Sequence, residues 1–495
     1  MSKKNIKLLA WLCVGLISFS ACSDEFLETE PGDSISEGIA TSNATTINSV
    51  LEGTYRLNAH YYYEGLYGQG FGDVRGDDAF VINSSQNYGW FKWPYLFDMT
   101  TSNSWAERYW NTAYSVIDNA NIVIRDVETA EGDAGLLAQY KSEALCLRAY
   151  AYLNLCHWYG NAYSKDQGAS AGVLLRLTPF SAADDPSLAR SSVAEVYTQI
   201  LADLNAAIGT EEFGDVREGR FSQAAAYALL ARTYMDMEDY TNAAVFAEKA
   251  AAGHSLMDEA TYLSGFNDYN SEVIWGFDYT PDDNGIYASI PSFWYYFEAG
   301  EDGNPVNVQQ GYSSLRLTRE LYSLFEDQDI RKTLFPILDQ ENYPLDGGDP
   351  YHGGYVTNKF RSRSSMGDAR LIKIRAGEML LIAAEAYARN GQEDKALANL
   401  HQVQGRAKAT LSATSGEALI TDILNERRKE LFGEGFRALD IKRLGLEMDR
   451  NQSTGHWGTN KVFSAYDDKY LFPIPQDEID SNDALSEADQ NAAYQ

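Results

Sequence analysis

One spacing, found twice, restricts what this chain can fold into more than any other feature. Ala231-x-x-Tyr234 is followed nine residues on by Ala243, and Ala384-x-x-Tyr387 nine residues on by Ala396. Around the second copy, residues 371–443 read as two helices in tandem and a charged third. The first covers 374–387, with Leu380, Leu381, Ala384 and Tyr387 on one face at helical spacing. Asn390-Gly391 stops it. The second carries Ala396, Leu397, Leu400 and Val403. The third, 423–432, carries Glu426-Arg427-Arg428-Lys429-Glu430 and leads into Gly433-Glu434-Gly435-Phe436-Arg437 and Asp440, which read as a helix-terminal ion-pair network. Small residues where two helices cross let them approach closely.

A pattern repeated at one offset is that of tetratricopeptide (TPR) helical hairpins, although a generic antiparallel helix pair would give much the same scaffold. Further helices are expected over 41–58 with Thr41 or Ser42 as the cap, over 105–127, over 136–159, from a capping box at Ser192 and Glu195 to 208, and over 315–325. A short strand is expected within 270–277. The fold expected is mainly α: a TPR-like helical-hairpin scaffold with long irregular loop inserts and a few short strands. Its expected parts are 41–210, holding an irregular aromatic loop at 60–103, and 211–495, holding the TPR-like helices and ligand-side loops.

The first forty residues read as targeting and tether. Lys3, Lys4 and Lys7 precede an apolar run over 8–19 that is too short to span a membrane. Phe19-Ser20-Ala21-Cys22 then resembles a bacterial lipoprotein cleavage box. The expectation is a signal peptide at 1–21, lipid on Cys22 and a polar tether at 22–40, with simple secretion as the alternative. Ser23-Asp24-Glu25 resembles a surface-export signal of Bacteroidetes-type bacteria.

Lys and Arg total 40 against 71 Asp and Glu, a net charge of −31, which argues against nucleic-acid binding and against adhesion to an anionic membrane surface. Cys146 and Cys156 share one expected helix; at 1.5 Å per residue they stand roughly 15 Å apart, too far for a disulfide. The six histidines show no H-E-x-x-H spacing, and no G-x-S-x-G elbow or phosphate loop occurs. Adjacent acids such as Asp77-Asp78 or Asp282-Asp283 do not make a glycosidase pair. No enzyme activity, cofactor or metal is expected.

Aromatic residues reach 13% of the chain, and they crowd into loops. Residues 60–103 mix Tyr61, Tyr62, Tyr63, Tyr67, Tyr88, Trp90 and Trp93 with Gly, Asn, Ser and Asp; residues 279–311 hold Tyr287, Trp294, Tyr295 and Tyr296. Sugars need this mixture, because rings stack on their C–H faces while Asp, Asn and Arg hydrogen-bond their hydroxyls. Trp90 and Trp93, bracketed by Gly89 and Pro94, are the rings most expected to face water. The candidate ligand residues are Asp77, Asp78, Tyr88, Trp90, Trp93, Trp294, Tyr295 and Tyr296.

Several ordered motifs together resemble the SusD/RagB family of outer-membrane nutrient-binding lipoproteins. They are Ala113-Tyr114 with Ile117 and Asn121, Leu147-Arg148-Ala149, residues 270–274 and 375–387, the Glu426–Asp440 block, and Ile474-Pro475-Gln476-Asp477-Glu478-Ile479. The resemblance implies capture of a glycan, or in some members a peptide, at the cell surface. It also implies a SusC-like TonB-dependent β-barrel transporter as partner, over which the lipoprotein acts as a hinged lid. In glycan-binding members one ligand wall follows an acidic turn, which here is Asp77-Asp78 followed by Tyr88, Trp90 and Trp93. A periplasmic TPR scaffold protein is the alternative from another class.

Overall fold

A computed structural model of the chain describes residues 41–181, 187–214, 218–280, 285–294, 298–299, 305–306, 311–336, 353–363 and 367–495. The first helix, α1 (Ala44–Asn58), begins at a capping box. The Asn43 side chain accepts from the amides of Thr45 and Thr46, and Thr46 Oγ1 accepts from the Asn43 amide. The cap is therefore Asn43, not Thr41 or Ser42. Asn outcompetes the hydroxyls because its carbonyl reaches two orphan donors at once.

The segment read as irregular contains a helix, α2 (Tyr67–Val74), buried along its whole length. Its glycines hid it, since glycine weakens a helix by roughly 1 kcal/mol against alanine. Here they are contact points. A Cβ on Gly72 would meet the Gly435 carbonyl oxygen at 1.7 Å, and one on Gly70 the Phe91 ring at 2.3 Å. The strand β1 (Ala79–Val81) and the short helix α3 (Lys92–Leu96) follow.

Two long helices come next. Asn103 caps α4 (Ser104–Asp126) and Asp133 caps α5 (Ala134–Tyr159). Cys146 and Cys156 lie on α5 as free, buried thiols. Helix α6 (Val193–Ile208) starts at the expected Ser192–Glu195 box. Then α7 (Gln223–Asp236) and α8 (Tyr240–Ala251) form the first hairpin, and α9 (Ala376–Arg389) and α10 (Glu393–Arg406) the second. Each of α4 to α10 packs on the next, and α11 (Gly416–Leu431) packs on α9. Alanines line the crossings: Ala225, Ala228 and Ala231 on α7, Ala243, Ala247 and Ala250 on α8, Ala383 and Ala384 on α9, all buried. Asn390 caps α9, and Gly391 takes φ +69°, the left-handed stop implied by the Asn-Gly pair.

Two expectations need correction. Ile374 and Arg375 do not start the helix expected over 374–387; they end β4 (Leu371–Arg375), which pairs antiparallel with β2 (Val273–Phe277), setting Val273 opposite Arg375. Likewise 315–325 opens as a strand, β3 (Leu315–Leu317), paired antiparallel with β1 so that Ala79 faces Leu317. Thr318 then caps one short turn, Arg319–Tyr322. Both stretches are short apolar runs, whose periodicity does not separate strand from helix.

The Glu426–Asp440 block is the internal clamp of the molecule. Arg375, at the bend from β4 into α9, donates to Glu272 (2.7 Å), Glu430 (2.6 Å) and Glu434 (2.7 Å). Arg331 pairs with Asp329, Glu426 and Glu430, Arg406 with Glu430, and Lys429 with Glu426. Lys359 holds Glu434 and the carbonyls of Glu430 and Phe432. Five carboxylates thus face five cations with side chains at most 8% exposed. Burial alone would push Glu430 up, but the guanidiniums of Arg406, Arg375 and Arg331 outweigh it and hold its carboxyl well below the usual range.

Cations also close the N-terminal aromatic segment from afar. Buried Arg450 donates to the carbonyls of Val74, Gly76 and Tyr95, and buried Arg75 to those of Pro94 and Lys469. Beside Arg450, the buried ring of His456 bonds Tyr95 Oη and the Asp77 carbonyl, each at 3.2 Å. Burial, with Arg450 adding repulsion, lowers the His456 pKa to about 3. Between that value and the ordinary 6.5 the unfolded chain binds a proton that the folded chain refuses. Stability therefore rises with pH through this window and is lost as pH falls. Urea unfolding should lose about 2–3 kcal/mol between pH 7 and pH 4.5 through this ring. His456→Asn should flatten the profile by that amount; an unaltered profile would assign the acid sensitivity elsewhere.

Candidate functional site

The turn that follows β1 is built to project rings. Tyr88, Phe91 and Phe97 all adopt left-handed backbone conformations, with φ of +50°, +55° and +54°. Non-glycine residues pay roughly 1–2 kcal/mol each for this, so the surrounding packing must hold them there. Phe91 points inward and is fully buried, while Tyr88 points outward and is 79% exposed.

Tyr88 belongs to a cluster assembled from two loops distant in sequence. Tyr312 is its centre, with Phe293 at 5.1 Å, Trp90 at 5.5 Å, Tyr88 at 5.8 Å and Tyr287 at 6.0 Å. Trp90 is half-buried, backed by Phe293 at 5.2 Å and Trp105 at 5.6 Å. Trp90 also meets Tyr61 at 6.5 Å, and Tyr61 meets Tyr62 at 4.1 Å. The outcome is a row of rings with firm backing and an open face. Tyr287 and its neighbour Ile286 are exposed beside it.

A groove of about 690 Å³ adjoins this row. Tyr61 and Ile286 form its ring-side wall, and Arg56, Glu218, Arg220 and Asp278 supply polar groups. That volume is within the ~300–1,000 Å³ of small-ligand pockets. An interior cavity of about 80 Å³, lined by Glu64, Arg232, Lys373 and Glu378, is far smaller, and these groups pair with each other: Arg232 with Glu378, and Lys373 with Glu64.

The expected site residues divide. Tyr88 and Trp90 stand in the cluster. Trp93 is 40% exposed under the Lys92 ammonium, 4.9 Å away, and among the described residues no ring contact joins it to the cluster. Trp294 is corrected: it is 1% exposed, stacked on Phe360 at 5.9 Å, and forms core. Asp77 and Asp78 are corrected as well. Asp77 is held in a two-bond fork by Arg437, and Asp78 by Arg428. These carboxylates latch β1 to the clamp instead of offering themselves to hydroxyls. Tyr295 and Tyr296 lie outside the described residues, as does Asp282-Asp283-Asn284. Tyr312 was missed; it follows the second aromatic loop directly, at the end of the run 279–311, which was the available signal. Among the described residues no group of His, Cys, Asp and Glu gathers to hold a metal ion. No described helix is long and apolar enough to cross a membrane.

Together these features define a helical-hairpin protein that presents a backed aromatic row and an adjoining groove to solvent. Residues 25–235 match a family model described as "Starch-binding associating with outer membrane", and residues 333–494 match the SusD family model. The chain belongs to the SusD/RagB family. The SusD-like protein P25 of Formosa agariphila is 24% identical over 99% of both chains. A SusD superfamily protein from Bacteroides thetaiotaomicron superposes with a TM-score of 0.79 at 26% identity, over 91% of this chain and 99% of that one. A SusD-like carbohydrate binding protein from Bacteroides vulgatus gives 0.76 at 26% identity, over 92% and 99%.

Proposed function

We propose that this protein captures an oligosaccharide non-covalently on the ring row and in the groove beside it, and passes it to a SusC-like TonB-dependent transporter. The observation that carries the reading is the pair of exposed rings, Tyr88 and Tyr287, set against half-buried Tyr312 and Trp90, which support them for stacking on sugar C–H faces. Polar side chains of the groove supply the hydrogen bonds that orient hydroxyls. The family model's outer-membrane description and the carbohydrate-binding relative support the same assignment. The protein works at the outer membrane, anchored through lipid on Cys22 and facing outward.

Titration calorimetry against a glycan panel tests the capture step; a panel that yields no ligand would overturn it. The anchor has its own test. Cys22→Ala should move the protein from the membrane fraction to the soluble fraction, and protease added to intact cells should digest the wild-type protein. Retention of the variant on membranes would refute lipid anchoring.

A further inference from the structure

The ring row does not fade into neutral surface at its Tyr61–Tyr62 end; it ends on a cation. Arg108, exposed on α4, lays its guanidinium over the Tyr62 ring at 4.5 Å. Its charge also reaches the phenols of Tyr61 and Tyr67, where it opposes the upward push of burial. Tyr62 adjoins Tyr61, and Tyr61 adjoins Trp90, so Arg108 terminates the row that Tyr312 and Tyr88 finish at the far side.

Arginine is used differently elsewhere in this chain. Arg148, Arg331, Arg375 and Arg437 are spent on internal carboxylates. Arg108 forms no ion pair with a carboxylate among the described residues. Its helical neighbours three and four positions away are Trp105, Ser104, Asn111 and Thr112, so no acid lies where a helix would bring one alongside. Glu107 is adjacent in sequence and faces away for the same geometric reason. At physiological salt charges act over about 8 Å, so the Tyr62 end of the row feels the Arg108 guanidinium stacked on it far more than the distant acids behind the net charge of −31. With one face of the guanidinium on Tyr62 and one donor given to the Tyr67 phenol oxygen, its remaining N–H groups are left for a planar, two-oxygen acceptor.

We propose that Arg108 sets specificity for this platform, and that the saccharide bound there carries an anionic group, a uronate carboxylate or a sulfate ester, seated on the guanidinium edge. This rests on the saccharide reading above. Calorimetry with the full chain tests it, using oligouronates, sulfated galactan oligosaccharides and neutral oligosaccharides of matched length, at 50 and 300 mM salt. A charged class should bind, and Arg108→Gln should weaken it at least tenfold and remove most of its salt dependence. Arg108→Lys, which keeps the charge and loses the fork, should fall between. Which charged class responds tells carboxylate from sulfate. Unchanged affinity of Arg108→Gln for charged ligands would overturn the proposal, as would binding of neutral oligosaccharides alone, which leaves the saccharide reading standing. If no saccharide of any class binds, both readings fall.

Discussion

Arg375→Met should cost at least about 3–5 kcal/mol of folding free energy, enough to leave little native protein if the total is near the low end of the usual ~5–15 kcal/mol. The substitution keeps most of the side-chain volume, so the loss is electrostatic. Glu272, Glu430 and Glu434 all accept from this guanidinium, and removing it leaves five buried carboxylates facing four cations, an imbalance too deeply buried for water to compensate. The site is also the joint between β4 and α9, so the strand and the second hairpin loosen together. Arg389→Met provides the contrast. Arg389, 21% exposed, shares buried Glu385 with Arg443, which keeps its two-bond fork on that carboxylate, so the loss should be less than about 1 kcal/mol. Urea unfolding of the two variants decides the matter: equal losses would mean that Arg375 does no more in the clamp than a cation whose carboxylate has a second partner. Glu430 adds a pH dependence of known sign. Its folded pKa is depressed, so its contribution is fully present above the ordinary carboxylate range and is lost progressively as pH falls below that range toward the lowered folded value.

The second large effect is on binding. Trp90→Ala and Tyr88→Ala should each weaken saccharide affinity tenfold to a hundredfold, the equivalent of about 1.4–2.8 kcal/mol. Trp93→Ala should change it less than about threefold, because that ring stands outside the cluster. Tyr88→Gly separates function from folding more sharply. At φ +50° a tyrosine is strained and a glycine is not, so stability should hold or rise while affinity drops. A parallel fall in both quantities would show Tyr88 to be ordinary packing. Equal losses for Trp90→Ala and Trp93→Ala would place the site on α3 instead of on the cluster.

The scaffold was legible in the sequence because its signals are local. The Ala-x-x-Tyr spacing, the Ser192–Glu195 box and the Asn390-Gly391 stop each act within a few turns of chain, and each appears where it was read. The ion-pair reading of the Glu426–Asp440 block also held, since a dense run of alternating charge on a helix that must pack has few other outlets. The candidate site was only half legible. Asp77 and Asp78 looked free because their arginines lie 360 and 350 residues away, respectively. Trp294 looked like a loop ring because nothing nearby announces that Phe360 stacks on it. Tyr312 drew no attention because a ring cluster exists only after two loops meet. Helix α2 was hidden by glycines whose reason is tertiary contact with Gly435 and Phe91.

The bonds that close residues 73–97 come from far along the chain: Arg428 to Asp78 across 350 residues, Arg75 to the Lys469 carbonyl across 394. Synthesis must therefore run 350 to 394 residues beyond this stretch before these two bonds can form. Closure over such separations is slow. Until Arg428 and Lys469 have been made, this stretch lacks the latch that closes it, however complete the helices that follow it.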